Sequence, residues 1–357
     1  MSDYHIRGIQ QIGIGVESIE KAFPWYRKVF GADIILFDDD SVAEFMLPYT
    51  GNQPQKRRAI LAVNLMSGGG FEIWQYKGRK PQAPDFEVKL GDLGINIVKI
   101  KAVDVKATHA AYKAQNLNIT ELLEDPQGNP MFFITDPFGN RFQIVQGTGW
   151  FRTKENKLTG LTYGAILGVH DIDETLKVYR DILGYDVTVY DREGSFEDLS
   201  SIPGGQGSFR RVLLRHSEDR IGGFGRMFGP SEIELVQALD RPTKNIFEGR
   251  FWGDLGFIHL CFDVMGMDGL RKACADLGHP FTVDSQTAQE GKSFEMGDSA
   301  GLFSYIEDGG GTLIEFVEAH KLPLIKKVWE LDLKNRPPKK PVPAWIIKAL
   351  RFTRTKE

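Results

Sequence analysis

The chain alternates apolar and polar positions in short runs, and each run gives way to a helical period. Ile9 to Val16 reads as a strand, because residues two apart share a face. A polar turn follows, then a helix through Trp25, Tyr26, Val29 and Phe30 that ends at Gly31. The same order returns from Thr162 to Ile172, with a helix through Tyr179 and Ile182 that ends at Gly184. Both helices close on Tyr-Arg-x-x-apolar-Gly, and glycine suits the left-handed residue beyond a helix C-terminus. Two weaker copies follow the same plan. One strand spans Gly94–Val105 with its helix over Lys106–Gln115, and the other spans Gly256–Val264 with its helix over Asp268–Leu277. Each copy ends in a strand that is apolar around one polar residue: Glu72, Gln143, Glu234 or Glu315. The turns Asp136–Asn140 and Asp308–Thr312 carry hairpin chemistry.

This pattern predicts an α+β chain of four βαβββ units, paired two and two in chain order. The expected halves are 1–150 and 158–318, joined by a polar link, with a tail over 319–357. The tail is Pro-rich and basic. From Lys321 it holds eleven Lys and Arg against three Asp and Glu, so the overall charge of −4 divides into a tail of +8 and a body of −12. A short amphipathic helix is expected over Pro343–Phe352, docked on the acidic body with Trp345 and Ile346 inward. A lid over the site and a surface for a membrane or partner are the alternatives.

Length and composition narrow the class. At 357 residues two domains are the natural division, and 41% hydrophobic residues suffice for real cores. The mild net charge gives no general attraction to nucleic acid. No apolar run reaches the roughly 18–20 residues of a membrane span, and no basic-then-apolar leader opens the chain. Only Cys261 and Cys274 are present, which precludes a disulfide framework and predicts a cytoplasmic protein.

The repeat resembles the vicinal oxygen chelate superfamily, which includes glyoxalase I, extradiol dioxygenases, methylmalonyl-CoA epimerase, 4-hydroxyphenylpyruvate dioxygenase and bleomycin-resistance proteins. The resemblance covers all four units. It implies half-open, cup-shaped barrels, with metal ligands drawn from the first and last strand of each unit. Those places fall on Gln11 and Glu72, on Ile97 (or its neighbour Asn96) and Gln143, on Gly164 and Glu234, and on His259 and Glu315. An isoleucine cannot bind a metal and an amide binds poorly, so the N-terminal half is expected to be metal-free. The C-terminal half is expected to bind through Glu234, His259 and Glu315.

Strand parity supports that set independently. Each of these glutamates has apolar neighbours that pack into the core, so its own side chain faces the other way. Two inward carboxylates repel each other and lose hydration, and a divalent cation relieves both costs. One imidazole with two carboxylates suits Zn²⁺, Fe²⁺, Mn²⁺, Co²⁺ or Ni²⁺ rather than a closed structural zinc site. The same parity turns Ile166, Gly168, Val236, Cys261 and Asp263 inward. Cys261 is read as a small hydrophobe rather than a nucleophile. Tyr305 is weighed as a donor to a substrate oxygen against a plain core aromatic. Arg210, Arg211, Arg215, Arg220 and Arg226 are read as a solvated loop, and the nearby glycines lack the spacing of a phosphate loop.

The expected function is a metal-dependent lyase or isomerase step on a small oxygenated molecule, with Glu315 or Glu234 leaving the metal to act as base. Gly164, where dioxygenases of this type carry a histidine, argues against oxygen chemistry. An Fe(II) dioxygenase and a metal-free binding or resistance protein are the alternative readings. The expected partner is the small-molecule substrate, and homodimerisation is left open.

Overall fold

The computed structural model describes residues 3–152, 154–288, 294–296, 299–325 and 329–355. The first unit is β1 (His5–Gly15), α1 (Ile19–Phe30), β2 (Ile34–Ala43), β3 (Gln55–Val63) and β4 (Gly70–Tyr76). The second is β5 (Gly94–Ala102), α2 (Val105–Ala114), β6 (Leu123–Glu124), β7 (Pro130–Thr135) and β8 (Arg141–Gln146). The third is β9 (Thr159–Gly168), α3 (Ile172–Leu176), β10 (Val187–Gly194), β11 (Phe209–Arg215), the single turn α4 (Gly225–Phe228) and β12 (Glu232–Ala238). The fourth is β13 (Gly256–Met265), α5 (Met267–Asp276), β14 (Val283–Asp284), α6 (Ser285–Ala288), β15 (Phe294–Met296), β16 (Ser299–Glu307) and β17 (Leu313–Ile325). The tail adds β18 (Trp329–Asp332) and α7 (Ala344–Ala349).

Local chemistry sets the helix ends. The Ser18 hydroxyl accepts the Lys21 amide at 3.3 Å, and Gly31 takes φ +66° to end α1. Asp104 and Asp171 cap α2 and α3 in the same way, accepting the amides of Ala107 and Glu174. The repeated tyrosine of the helix motif also has a mechanical role. Tyr26 of the first unit donates to Asp136 in the second unit's hairpin turn at 2.6 Å, and Tyr179 of the third donates to Asp308 in the fourth's at 2.8 Å.

The strands form two curled sheets. One runs β14-β16-β17-β13-β1-β4-β3-β2, and the other β10-β11-β12-β9-β5-β8-β7-β6. Within each unit the first and last strands are parallel, while β1 meets β13 and β5 meets β9 antiparallel. The four-unit α+β architecture is therefore present, but the expected pairing of consecutive units is corrected. The first unit shares a sheet with the fourth, and the second with the third, so residues 1–150 and 158–318 each contribute to both sheets.

The reason lies in the connections. The first strands of all four units are similarly apolar, so their sequences do not choose partners. The short link 147–158 joins the neighbouring second and third units. The longer links 77–93 and 239–255 cross between sheets side by side, bridged by Leu93 N–H to Lys244 C=O at 2.8 Å. One core holds the helices and the convex faces of both sheets, including Tyr26, Phe30, Phe71, Phe142, Tyr179, Phe262 and Phe316. The concave faces are left for other uses.

The tail helix packs with a different face inward from the one expected. Ile346 and Ile347 are buried with Ile34, Val63, Met227 and Phe228, whereas Trp345 is 62% exposed. At 100° per residue, Ile346, Ile347 and Leu350 share a stripe that excludes Trp345. Among the described residues no helix is long and apolar enough to cross a membrane.

Candidate metal centre

The antiparallel β1–β13 pair places the first and last units back to back, and four matched positions converge in the cup they share. These are Gln11 on β1, Glu72 on β4, His259 on β13 and Glu315 on β17, all buried. His259 Nε2 lies 3.2 Å from Glu72 Oε2 and 3.1 Å from Glu315 Oε2. The Gln11 amide donates to Glu72 at 3.1 Å and to Glu315 at 3.4 Å. Tyr305 on β16 donates to the other oxygen of Glu315 at 2.8 Å. Trp252 lies parallel to the His259 ring at 6.0 Å. Gly13 faces the imidazole, and a β-carbon there would fall 2.5 Å from the ring. The glycine is required for the histidine to fit.

The electrostatics are those of a cation site. Burial alone would lower the His259 pKa, but the facing Glu315 and Glu72 carboxylates raise it to about 10. Burial likewise works to raise the Glu315 pKa, and the imidazolium and the Tyr305 hydroxyl outweigh it, leaving the carboxyl below its ordinary range. A proton thus sits between two carboxylates where a divalent ion has the same electrostatic reason to bind. Neither ring nitrogen has a well-aligned hydrogen bond among the described residues, and the three candidate ligand atoms lie within 4.8 Å of one another. Tetrahedral ligands about 2.0–2.1 Å from zinc stand roughly 3.3 Å apart, which matches the two His–Glu separations. The donor set therefore fits a divalent metal. Cys261 is buried, and burial followed by the Glu315 charge pushes its thiol far up, so it stays protonated and inert.

Two of the three expected ligands, His259 and Glu315, come together, and Tyr305 joins them. The expected third, Glu234, does not. It lies on β12 in the other sheet, where its carboxylate meets Arg211 at 2.6 Å, Lys99 at 2.8 Å and the Tyr190 hydroxyl at 2.8 Å. Burial would raise its pKa, but Arg211 and Lys99 prevail and hold it at about 2. Lys99 also reaches Glu232 at 3.0 Å, Arg215 reaches Glu232 at 2.9 Å, and Arg211 forks onto Asp198. Three cations thus balance three carboxylates, and the electrostatic need for a metal is already met. The cup around them is filled by Ile97, Phe133, Ile166, Leu199, Ile202 and Phe209.

Three expectations change as a result. Glu72 takes the ligand place assigned to Glu234. Gln11 and Glu72, expected in a metal-free half, belong to the candidate centre, while Gln143 and Gly164 lie in the other cup. The position opposite His259's unit is therefore Gln11 rather than Gly164. A β-carbon at Gly164 would fall 1.8 Å from the Glu232 carbonyl oxygen, so close strand packing accounts for that glycine. Of the arginines read as a solvated loop, Arg226 is exposed, but Arg211 is fully buried, Arg210 pairs with Asp173 and Asp191, and Arg220 donates to Leu183 C=O. Glu72 carried the same signal as Glu315, one acid in an apolar terminal strand. Its partner unit was what the sequence did not reveal.

The fold and site together define a half-barrel cup of paired βαβββ units that encloses a buried histidine and two acids from neighbouring strands. Residues 8–144, the first two units, match the family model of the Glyoxalase/Bleomycin resistance protein/Dioxygenase superfamily. Glyoxalase I from Zea mays is similar in structure, at 13% identity and TM-score 0.54, over 88% of this chain and 92% of that one. A putative dioxygenase from Bacillus subtilis is similar at 14% identity and TM-score 0.55, over 88% of this chain and 86% of that one. At these identities the likeness shows the fold alone. No curated protein matches the chain.

Proposed function

We propose that the protein is a metal-dependent enzyme of the vicinal oxygen chelate type, catalysing a redox-neutral lyase or isomerase step on a small molecule with two neighbouring oxygens. The observation that carries this reading is the meeting of Glu72, His259 and Glu315, with Gln11 beside them, at one end of a cavity. These residues would hold a divalent ion, which when bound polarises a carbonyl or enediolate as a Lewis acid. One imidazole with two carboxylates departs from the two-histidine, one-carboxylate set of non-haem iron oxygenases. That favours proton transfer over oxygen activation.

The protein's own groups have separable tasks. His259 presents Nε2 toward both acids, its ring held against Trp252 and made room for by Gly13. Tyr305 and Gln11 anchor Glu315 through both of its oxygens, so that carboxylate keeps its position. Glu72 accepts from Gln11 and faces His259 but has no tyrosine anchor among the described residues, so it is the carboxylate better placed to turn toward a substrate carbon and take a proton. Elemental analysis of protein supplied with Zn²⁺, Mn²⁺, Ni²⁺ or Co²⁺ tests the reading. One ion per chain in the native protein, lost in His259→Ala, is expected. No uptake of any of these ions would refute it.

A further inference from the structure

The candidate centre opens into a cavity of about 180 Å³ whose walls are apolar. Leu36, Phe45, Leu61, Trp252, Phe303 and Ile347 represent its lining, drawn from β2 and the residues just after it, β3, β16, the 239–255 link and the docked tail helix. An apolar engineered cavity of about 150 Å³ is enough to hold one benzene ring. The charged groups on this wall are few. Glu72 and Glu315 belong to the centre, and Glu44 is exposed. Arg57 is already held by Asp39, through an ion pair at 2.5 Å and a bond to its carbonyl oxygen at 3.1 Å. Lys321 stands at the exposed edge. An acidic substrate group placed deep in this cavity would lose its hydration beside two carboxylates, with no cation among the described residues directed at it from the apolar wall.

Resting on the metal reading above, we infer that the substrate is a neutral molecule carrying one aromatic ring, or an alkyl group of similar size, next to its two chelating oxygens. Ile346, Ile347 and Leu350 of the tail form part of the wall, so the tail belongs to the substrate pocket. Large, strongly polar conjugates are excluded by the same walls.

The test uses calorimetry on the full-length, zinc-loaded protein with three chelators: acetohydroxamate, benzohydroxamate and 4-carboxybenzohydroxamate. Benzohydroxamate should bind on the order of tenfold or more tighter than acetohydroxamate, as expected for burying a ring. The added carboxylate should cancel that gain. Phe303→Ala should shrink the ring preference. Equal affinity for the first two, or preference for the carboxylated ring, would overturn the inference with the metal reading intact. Absence of zinc uptake would instead overturn the metal reading. The ring preference is then read on the metal-free protein, from tryptophan fluorescence with benzamide against acetamide, and equal responses would overturn it.

Discussion

His259 Nε2 stands 3.2 Å from Glu72 Oε2, across a strand pair that joins the first unit of the chain to the last. The candidate centre therefore depends on contact between the two ends of the repeat, and neither chain half contains it alone. Glu72→Gln should lower zinc affinity by more than the roughly 100-fold that loss of an outer partner can cost. Glu234→Gln should leave zinc affinity unchanged. Competitive titration with a chromogenic chelator checks both variants. Loss of zinc in the Glu234 variant with retention in the Glu72 variant would reverse the assignment.

Glu234 has its own consequence. Its removal would leave Lys99 and Arg211 buried with too little negative charge. Breaking one partner of a buried pair typically costs about 3–5 kcal/mol. Glu234→Gln should therefore shift the urea midpoint strongly downward while zinc stoichiometry holds. An unchanged midpoint would show that the cluster is not the charge-balanced support described above.

Gly13 separates geometry from chemistry. Its added β-carbon would fall 2.5 Å from the His259 ring, and overpacking of this kind costs roughly 1–3 kcal/mol. Gly13→Ala should lower both the melting temperature and zinc affinity, although it removes no ligand. A variant with native zinc affinity would show that the ring has room to move.

Lys101 supplies a pH dependence away from the centre. Its side chain is fully buried, with Nζ donating to Thr148 C=O at 3.0 Å over the Trp150 ring. Burial lowers its pKa from 10.5 to about 7. Between those values the unfolded chain holds a proton that the folded chain has lost, so stability rises with pH from about 7 toward 10.5. The slope contributed is at most ~1.4 kcal/mol per pH unit. Urea unfolding at pH 7, 8 and 9 should show the rise in the native protein, and Lys101→Met should remove it. The same slope in both proteins would count against this account.

Much of this arrangement is legible in the sequence. The four units, their helix-ending glycines and the acid in each terminal strand follow from local pattern, because period and turn chemistry are local properties. Even the Tyr-Arg motif and the Asp turns were visible, although their joining as Tyr26–Asp136 and Tyr179–Asp308 was not. What local pattern lacks is the choice of partner unit. Alternation puts Glu72, Glu234 and Glu315 on concave faces alike, and nothing near them tells which cup each enters. Lys99 and Arg211 decide the matter, since they neutralise Glu234 from β5 and β11. The buried face of the tail helix was misread by one position, Trp345 for Ile347, because large aromatics raise apolarity wherever they point.

The most direct test of the central claim is a crystal structure of the zinc-soaked full-length protein with anomalous data at the zinc edge. One peak per chain is expected, in contact with Glu72, His259 and Glu315. A peak beside Glu234, or no peak at the Glu72–His259–Glu315 cluster in crystals that contain stoichiometric zinc, would contradict it.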